Sequence, residues 1–289
     1  MEIGVFATFM SPIGTPEVSG DFAQRAEDAG LDALWMGEHV VLFDEMEFGY
    51  PGTADGKVPV PQGGGLLDTV GTFGYVAACT KRIRLGTGVT LIPQRNPVYT
   101  AKEFATLDWL SKGRMDLGIG VGWCKEEVEA CGYTFEDRGA RCDEFLDVMK
   151  LLWTEREATY DGQHVSIFKA RMDPKPVQTP HVPIVVGGHK KRSLRRAAQY
   201  GNGWYGFRLT PEQLKPILEQ LDLALEKEGR SREGYRIFVT PTDEDEATIA
   251  QFAELGVDQL VLQLGSQRPH KIDQRLPQLE NYVRFAKSL

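Results

Sequence analysis

A (β/α)8 barrel, a TIM barrel with insertions on its C-terminal face, is the fold class this sequence predicts, and three observations predict it. Apolar strand-like runs alternate with helical stretches from one end to the other. The runs number eight, each followed by at least one helix, so 289 residues leave about 36 per repeat, enough for a strand, a helix and two loops. Several runs, IVV and LVL among them, are apolar at consecutive positions, as strands buried on both faces of a parallel sheet are. Such βαβ units make a closed barrel or a doubly wound sheet. No linker-like break divides the chain, so residues 1–289 read as one barrel domain.

In order, the first strand spans Glu2–Phe9 and its helix Val18–Ala29, closed by Gly30. The second strand, Ala33–His39, ends abruptly in Glu38-His39. Residues 43–65, centred on PGTADGKVPVPQGGG, form a long loop, and a connection of this length in a compact protein is usually functional; it reads as an active-site lid. Asp68 caps a helix reaching about Thr80. Strand Arg84–Leu91 precedes helix Pro97–Leu110, which a proline opens. Strand Arg114–Gly122 is followed by a short helix, Lys125–Ala130, and a longer one, Arg138–Thr154. A hairpin-like insertion, residues 158–169, turns at Asp161-Gly162. Strand Pro183–Gly187, helix Lys190–Tyr200, strand Gly203–Phe207 and helix Pro211–Glu228 resume the alternation. Strand Tyr235–Val239, helix Asp243–Leu255, strand Gln259–Leu264 and a helix within Asp273–Leu289 complete it.

Composition narrows the function. With 42% hydrophobic and 26% charged residues the chain is ordinary globular material. A net charge of −8 makes it a poor nucleic-acid binder, and no run of 18 apolar residues suggests a membrane helix. MEIGVFATFM lacks a basic leader and a cleavage site, so a soluble cytoplasmic protein is expected. Cys79, Cys124, Cys131 and Cys142 are too scattered for a disulfide framework or structural zinc, and read as isolated buried thiols.

Barrel chemistry sits where strands end. Two glycines, Gly187 and Gly188, follow a buried strand and precede a helix whose first turn carries Lys190, Lys191 and Arg192, with Arg195 and Arg196 beyond. Cations there oppose the helix dipole by about 0.3–1 kcal/mol each, which makes sense where an anion sits over the helix start; a solvated basic face is the alternative. Gly118, Gly120 and Gly122 do not meet the dinucleotide spacing, and instead let a flat ligand approach a strand end. His39 suits proton transfer near neutral pH, or else is structural. The five histidines show no metal-binding pairing and there is no GxSxG elbow, so no metal site and no acyl transfer are expected. Trp35, Trp123 and Trp204 lie in or beside strands; Trp123, after a strand-ending glycine, is the one placed to line a pocket.

WMGEH, then TGVTLIPQRNPVYTAKEFATLDWLSKGRMDLGIGVGW, then PIVVGGHKKRSLRRAAQYGNGW resemble the bacterial luciferase-like superfamily over nearly the whole chain, in the style of its coenzyme F420-dependent branch. The resemblance implies a barrel with a flavin or deazaflavin ring over the mouth. It implies a non-prolyl cis peptide or bulge at Gly88–Val89 backing that ring, with Thr87, Gly120, Gly122 and Trp123 around it. His39, with Glu38 beside it, matches the pocket histidine. Gly187, Gly188 and His189 match the loop that grips the cofactor phosphate, and Lys190 and Arg192 add charge for its tail. Where the family's sugar-phosphate dehydrogenases carry an acidic glutamate this chain has Trp123, so a more apolar pocket is expected, and Glu126 and Glu127 fall on a different part of the loop. The implied reaction is hydride transfer between F420 and a small organic substrate, with FMNH2-dependent oxygenation, and thus FMN, as the alternative, and a non-catalytic binding barrel as a third reading. The family's habit implies a homodimer.

Overall fold

The structure, a computed structural model, describes residues 1–50, 53, 55–60 and 63–289. Strand β1 (Glu2–Phe6) leads to α1 (Pro16–Asp28), β2 (Ala33–Met36) and, beyond a long loop, α2 (Thr69–Cys79). The third barrel strand comes in two pieces, β3 (Arg84–Thr87) and β4 (Thr90–Leu91). A 3-10 turn (Ile92–Gln94), α3 (Pro97–Ser111), β5 (Met115–Gly120), α4 (Lys125–Ala130) and α5 (Arg138–Thr154) follow. After a hairpin of β6 (Ala158–Asp161) and β7 (Ser166–Ala170) come β8 (Ile184–Gly187), α6 (Lys191–Tyr200), β9 (Gly203–Leu209) and α7 (Pro211–Lys227). The last units are β10 (Arg236–Pro241), α8 (Glu246–Glu254), β11 (Gln259–Gln263) and α9 (Pro269–Ala286). The parallel order β3-β2-β1-β11-β10-β9-β8-β5, with β3 and β4 both returning to β5, closes an eight-stranded (β/α)8 barrel.

Local chemistry explains the helix starts. Thr15, Asp68, Asn96 and Asp245 accept hydrogen bonds from first-turn amides, and Thr210 with Gln213 forms a reciprocal capping box. Arg114, expected in a strand, lies just before β5. Its guanidinium donates to the carbonyls of Ala77 (3.0 Å), Thr80 (3.2 Å) and Ile83 (2.8 Å), so it satisfies the C-terminal end of α2.

Two apolar layers form the core. Outside the barrel, aliphatic and aromatic residues of strands and helices interdigitate; inside it lie Trp35, Tyr205, Phe238, Val185, Ala33 and Val261, with Phe6 and Val89 packed on them. Trp35 stacks on Tyr205 at 5.3 Å, and its indole N–H donates to Gln259 Oε1 at 2.7 Å. A tryptophan fits inside because its neighbour in β3 is Gly86, where a methyl group would fall 2.4 Å from the indole ring; β5 in turn approaches β3 through Gly118, where a methyl group would fall 1.7 Å from the Thr87 carbonyl oxygen. Trp35 and Trp204 are thus core residues. Of the four thiols, only Cys124 and Cys142 are buried; Cys79 and Cys131 are partly exposed, and all four are free.

The continuous strand expected over Arg84–Leu91 is interrupted. The Gly88–Val89 peptide is cis, as the resemblance implies, and Thr87 Oγ1 donates to the Gly118 carbonyl at 2.6 Å where the ladder lapses. The loop over 43–65 springs from the C-terminal face and contains no helix or strand among its described residues; 51, 52, 54, 61 and 62 of the expected lid lie outside them. The second insertion is rooted at the opposite end, after α5, and only its tip climbs: His164 stands 3.6 Å from Asp137 at the start of that helix. Its turn is a four-residue loop, Gly162–Val165, in place of the expected two-residue turn. The Glu144 carboxylate sets it by accepting from the amides of Gln163, His164 and Val165 at 2.7–3.1 Å. Among the described residues no helix is long and apolar enough to cross a membrane.

Candidate active site

β2 delivers Glu38 and His39 to the mouth, and the two side chains part there. The His39 Nδ1 lies 2.8 Å from Glu127 Oε2, while Glu127 Oε1 accepts the Val40 amide at 2.7 Å. Glu127 is 1% exposed and His39 only partly buried, so the carboxylate backs the imidazole from the protein side. Trp123 meets the His39 ring edge-on at 5.8 Å, and Tyr50, from the long loop, meets Trp123 at 5.5 Å. The same loop is tied to α4, because the Glu47 amide donates to Glu126 Oε1 at 2.6 Å and Lys125 Nζ pairs with the Glu47 carboxylate at 2.8 Å.

Glu38 is committed elsewhere. Its carboxylate accepts the Leu91 amide at 2.6 Å and pairs with Arg95, which also holds Glu103. Burial pushes the Glu38 carboxyl up, against the pull of the Arg95 guanidinium. Glu38 therefore fastens the end of β2 to β4. Glu127, which the sequence places with Glu126 on a different part of the loop, is instead the partner of His39. The signal was there: Cys124, Glu127, Val128 and Cys131 recur at helical spacing, and Glu127 occupies a buried register of α4.

Beside His39 the mouth is floored by glycine and apolar side chains. Val89 packs on the inner cluster between two glycines: an added methyl group on Gly120 would sit 2.6 Å from its side chain, and one on Gly187 3.0 Å, while Gly88 lies against Phe6 and Tyr205. Thr87 is fully buried, with its hydroxyl turned to Gly118, so it frames this floor. Phe207 lies 6.1 Å from Phe6 and extends the apolar surface.

Across the mouth, β8 runs into Gly187 and Gly188. Gly188 has φ +109°, and its carbonyl accepts the Trp204 indole N–H at 2.8 Å. Its amide donates to the Tyr205 carbonyl at 3.3 Å, so among the described residues the unbonded backbone donors begin beyond it, toward the first turn of α6. His189 Nε2 accepts the Phe207 amide at 3.0 Å, which ties the loop to β9. Lys190, at the N-cap, makes no side-chain cap, and Lys190, Lys191 and Arg192 are exposed without an ion pair among the described residues. Arg195 and Arg196 do not extend this cluster: both turn to Asp143 on α5, at 2.6 and 2.5 Å. The sequence makes the basic run look longer than the site it serves.

The model of the luciferase-like monooxygenase family matches residues 1–278. The chain belongs to that family. Among relatives of this luciferase-like protein, an uncharacterised protein of Mycobacterium tuberculosis (strain ATCC 25618 / H37Rv) is 32% identical over 245 residues, covering 83% of this chain and 84% of the relative. An F420-dependent glucose-6-phosphate dehydrogenase of Kineococcus radiotolerans is 33% identical over 225 residues, 75% of this chain and 60% of that enzyme. Among solved structures, an F420-dependent secondary alcohol dehydrogenase in complex with an F420-acetone adduct shares the fold, with a TM-score of 0.81 at 18% identity over 99% of this chain and 98% of the other.

Proposed function

We propose that this luciferase-like oxidoreductase is F420-dependent and moves a hydride between that cofactor and a small, largely apolar organic substrate. One arrangement carries the reading: an imidazole held by a buried carboxylate at one side of a glycine-floored, aromatic mouth, with an uncapped, cation-bearing helix start at the other. The residues fit the cofactor. Val89, Gly120 and Gly122 offer a flat floor for a tricyclic ring, with Trp123 at its margin. The first-turn amides of α6, with Lys190 and Arg192, suit phosphate and an acidic tail. When bound, the cofactor supplies or accepts the hydride; the chain orients both reactants, excludes water, and exchanges the accompanying proton at His39. Trp123, with Tyr50 packed on it, stands where the family's sugar-phosphate dehydrogenases carry a glutamate, which favours an apolar substrate over a sugar phosphate. The identity to an F420-dependent enzyme supports the choice of cofactor.

Titrating the purified protein with F420 and with FMN tests this. F420 fluorescence should report binding with Kd in the ~micromolar range, weakened about tenfold or more when Lys190, Lys191 and Arg192 are replaced together by alanine. Tight FMN binding with none of F420 overturns it in favour of the monooxygenase reading, and binding of neither supports a non-catalytic barrel.

A further inference from the structure

We propose that Glu127 is a positioning residue that fixes the proton of His39 on Nδ1, and so makes Nε2 the atom that trades a proton with the substrate. The inference rests on the reading of His39 given above and names the device that makes it work. Among the described residues the imidazole has one polar partner, a carboxylate oxygen at 2.8 Å. An ionised carboxyl only accepts hydrogen bonds, so Nδ1 is the donor and Nε2 is left with a lone pair when the ring is neutral. In the direction of substrate oxidation that lone pair takes the hydroxyl proton while the hydride leaves to the cofactor. In the reverse direction Nε2–H returns it as the hydride arrives at carbon.

The second oxygen makes Glu127 hard to replace. Oε1 accepts the Val40 amide at 2.7 Å, so the carboxylate grips both the ring of His39 and the backbone directly after it. A side chain with two acceptor oxygens meets both demands; an amide of the same shape has one. In Glu127→Gln, whichever group faces Val40, the competition is for a single oxygen. With that oxygen kept by the Val40 N–H, the NH2 group turns to Nδ1 and demands a lone pair there, which moves the proton of the neutral ring to Nε2. Neighbouring residues hold the clamp in register, since Lys125 and Glu126 anchor α4 to Glu47 of the long loop.

The test uses full-length protein labelled with 15N-histidine and long-range proton–nitrogen spectra, with the His39 signals assigned by their loss in His39→Gln. Neither cofactor nor substrate is needed. The wild type should show His39 protonated at Nδ1, and Glu127→Gln should cut that tautomer about tenfold in favour of Nε2–H. A wild-type His39 with its neutral-state proton on Nε2 overturns the proposal without any variant, as does a Glu127→Gln spectrum identical to wild type. F420 affinity, measured in parallel, should be unchanged by Glu127→Gln. If the wild type binds no F420, the cofactor reading falls while the spectra still decide the role of Glu127.

Discussion

Cys142 and Cys79 show what a single position does to a side chain. Cys142, buried on α5 among apolar neighbours, has its thiol pushed up to about 12 by burial, and Cys124 is pushed up to about 11. The thiolate is the nucleophile, so at pH 8 a group titrating near 12 is ionised in about one molecule in ten thousand. Native protein treated with iodoacetamide at pH 8 should therefore be alkylated at partly exposed Cys79 well before Cys142, with Cys142 modified only after denaturation. Peptide mass spectrometry over time checks the order, and early labelling of Cys142 contradicts it. Glu38 makes the complementary point. It neighbours the histidine in sequence, yet its bonds to Leu91 and Arg95 make it a fastener, whereas Glu127, 88 residues beyond His39, is the partner of the imidazole.

At the scale of elements, the hairpin β6–β7 depends on a residue outside it. Three amides of its tip converge on Glu144 of α5. Leaving them without an acceptor costs about 1–3 kcal/mol of local stability where they stay buried. Glu144→Ala should speed hydrogen exchange at Gln163, His164 and Val165 about tenfold or more, with amides of β8 and β9 unaffected; unchanged exchange at the tip would show that the loop holds itself. The alternation of strands and helices was legible because periodicity and caps are local signals, which Asp68 and the proline opening α3 illustrate. What stayed hidden was set by partners distant in sequence. Arg114 leaves its strand to serve the end of α2, Glu144 chooses the turn, Asp143 draws off Arg195 and Arg196, and the third strand breaks where Thr87 meets Gly118. At the mouth, positions at strand ends were readable as candidates, but which of Glu38, Glu126 and Glu127 faces His39 depends on the docking of a six-residue helix.

The whole molecule is closed by pairing its first and last strands. Five residues of β1, Glu2–Phe6, lie in parallel register with Gln259–Gln263 of β11, and Glu2 also pairs with Arg236 of β10. The mouth draws on β2, β3, β5, β8 and β9 together, so a partly open barrel has no site. A single cooperative unit follows: far-UV circular dichroism and tryptophan fluorescence should give superimposable urea transitions, since Trp35 inside the barrel and Trp153 and Trp204 outside it report both layers. Two separated transitions would show that the chain divides.

The wall between β3 and β5 also channels how such a barrel diversifies. A methyl group on Gly86 would lie 2.4 Å from the Trp35 ring, and those on Gly118 and Gly120 collide with the neighbouring strand and with Val89. Substitution at these glycines is costly, because an added side chain overpacks the wall, typically by about 1–3 kcal/mol. Under the proposed function, new substrate preferences arise on the permissive side, at Trp123, Tyr50 and the loop that α4 anchors. A mutational library aimed at altered specificity has its useful diversity there, on one flank of the mouth.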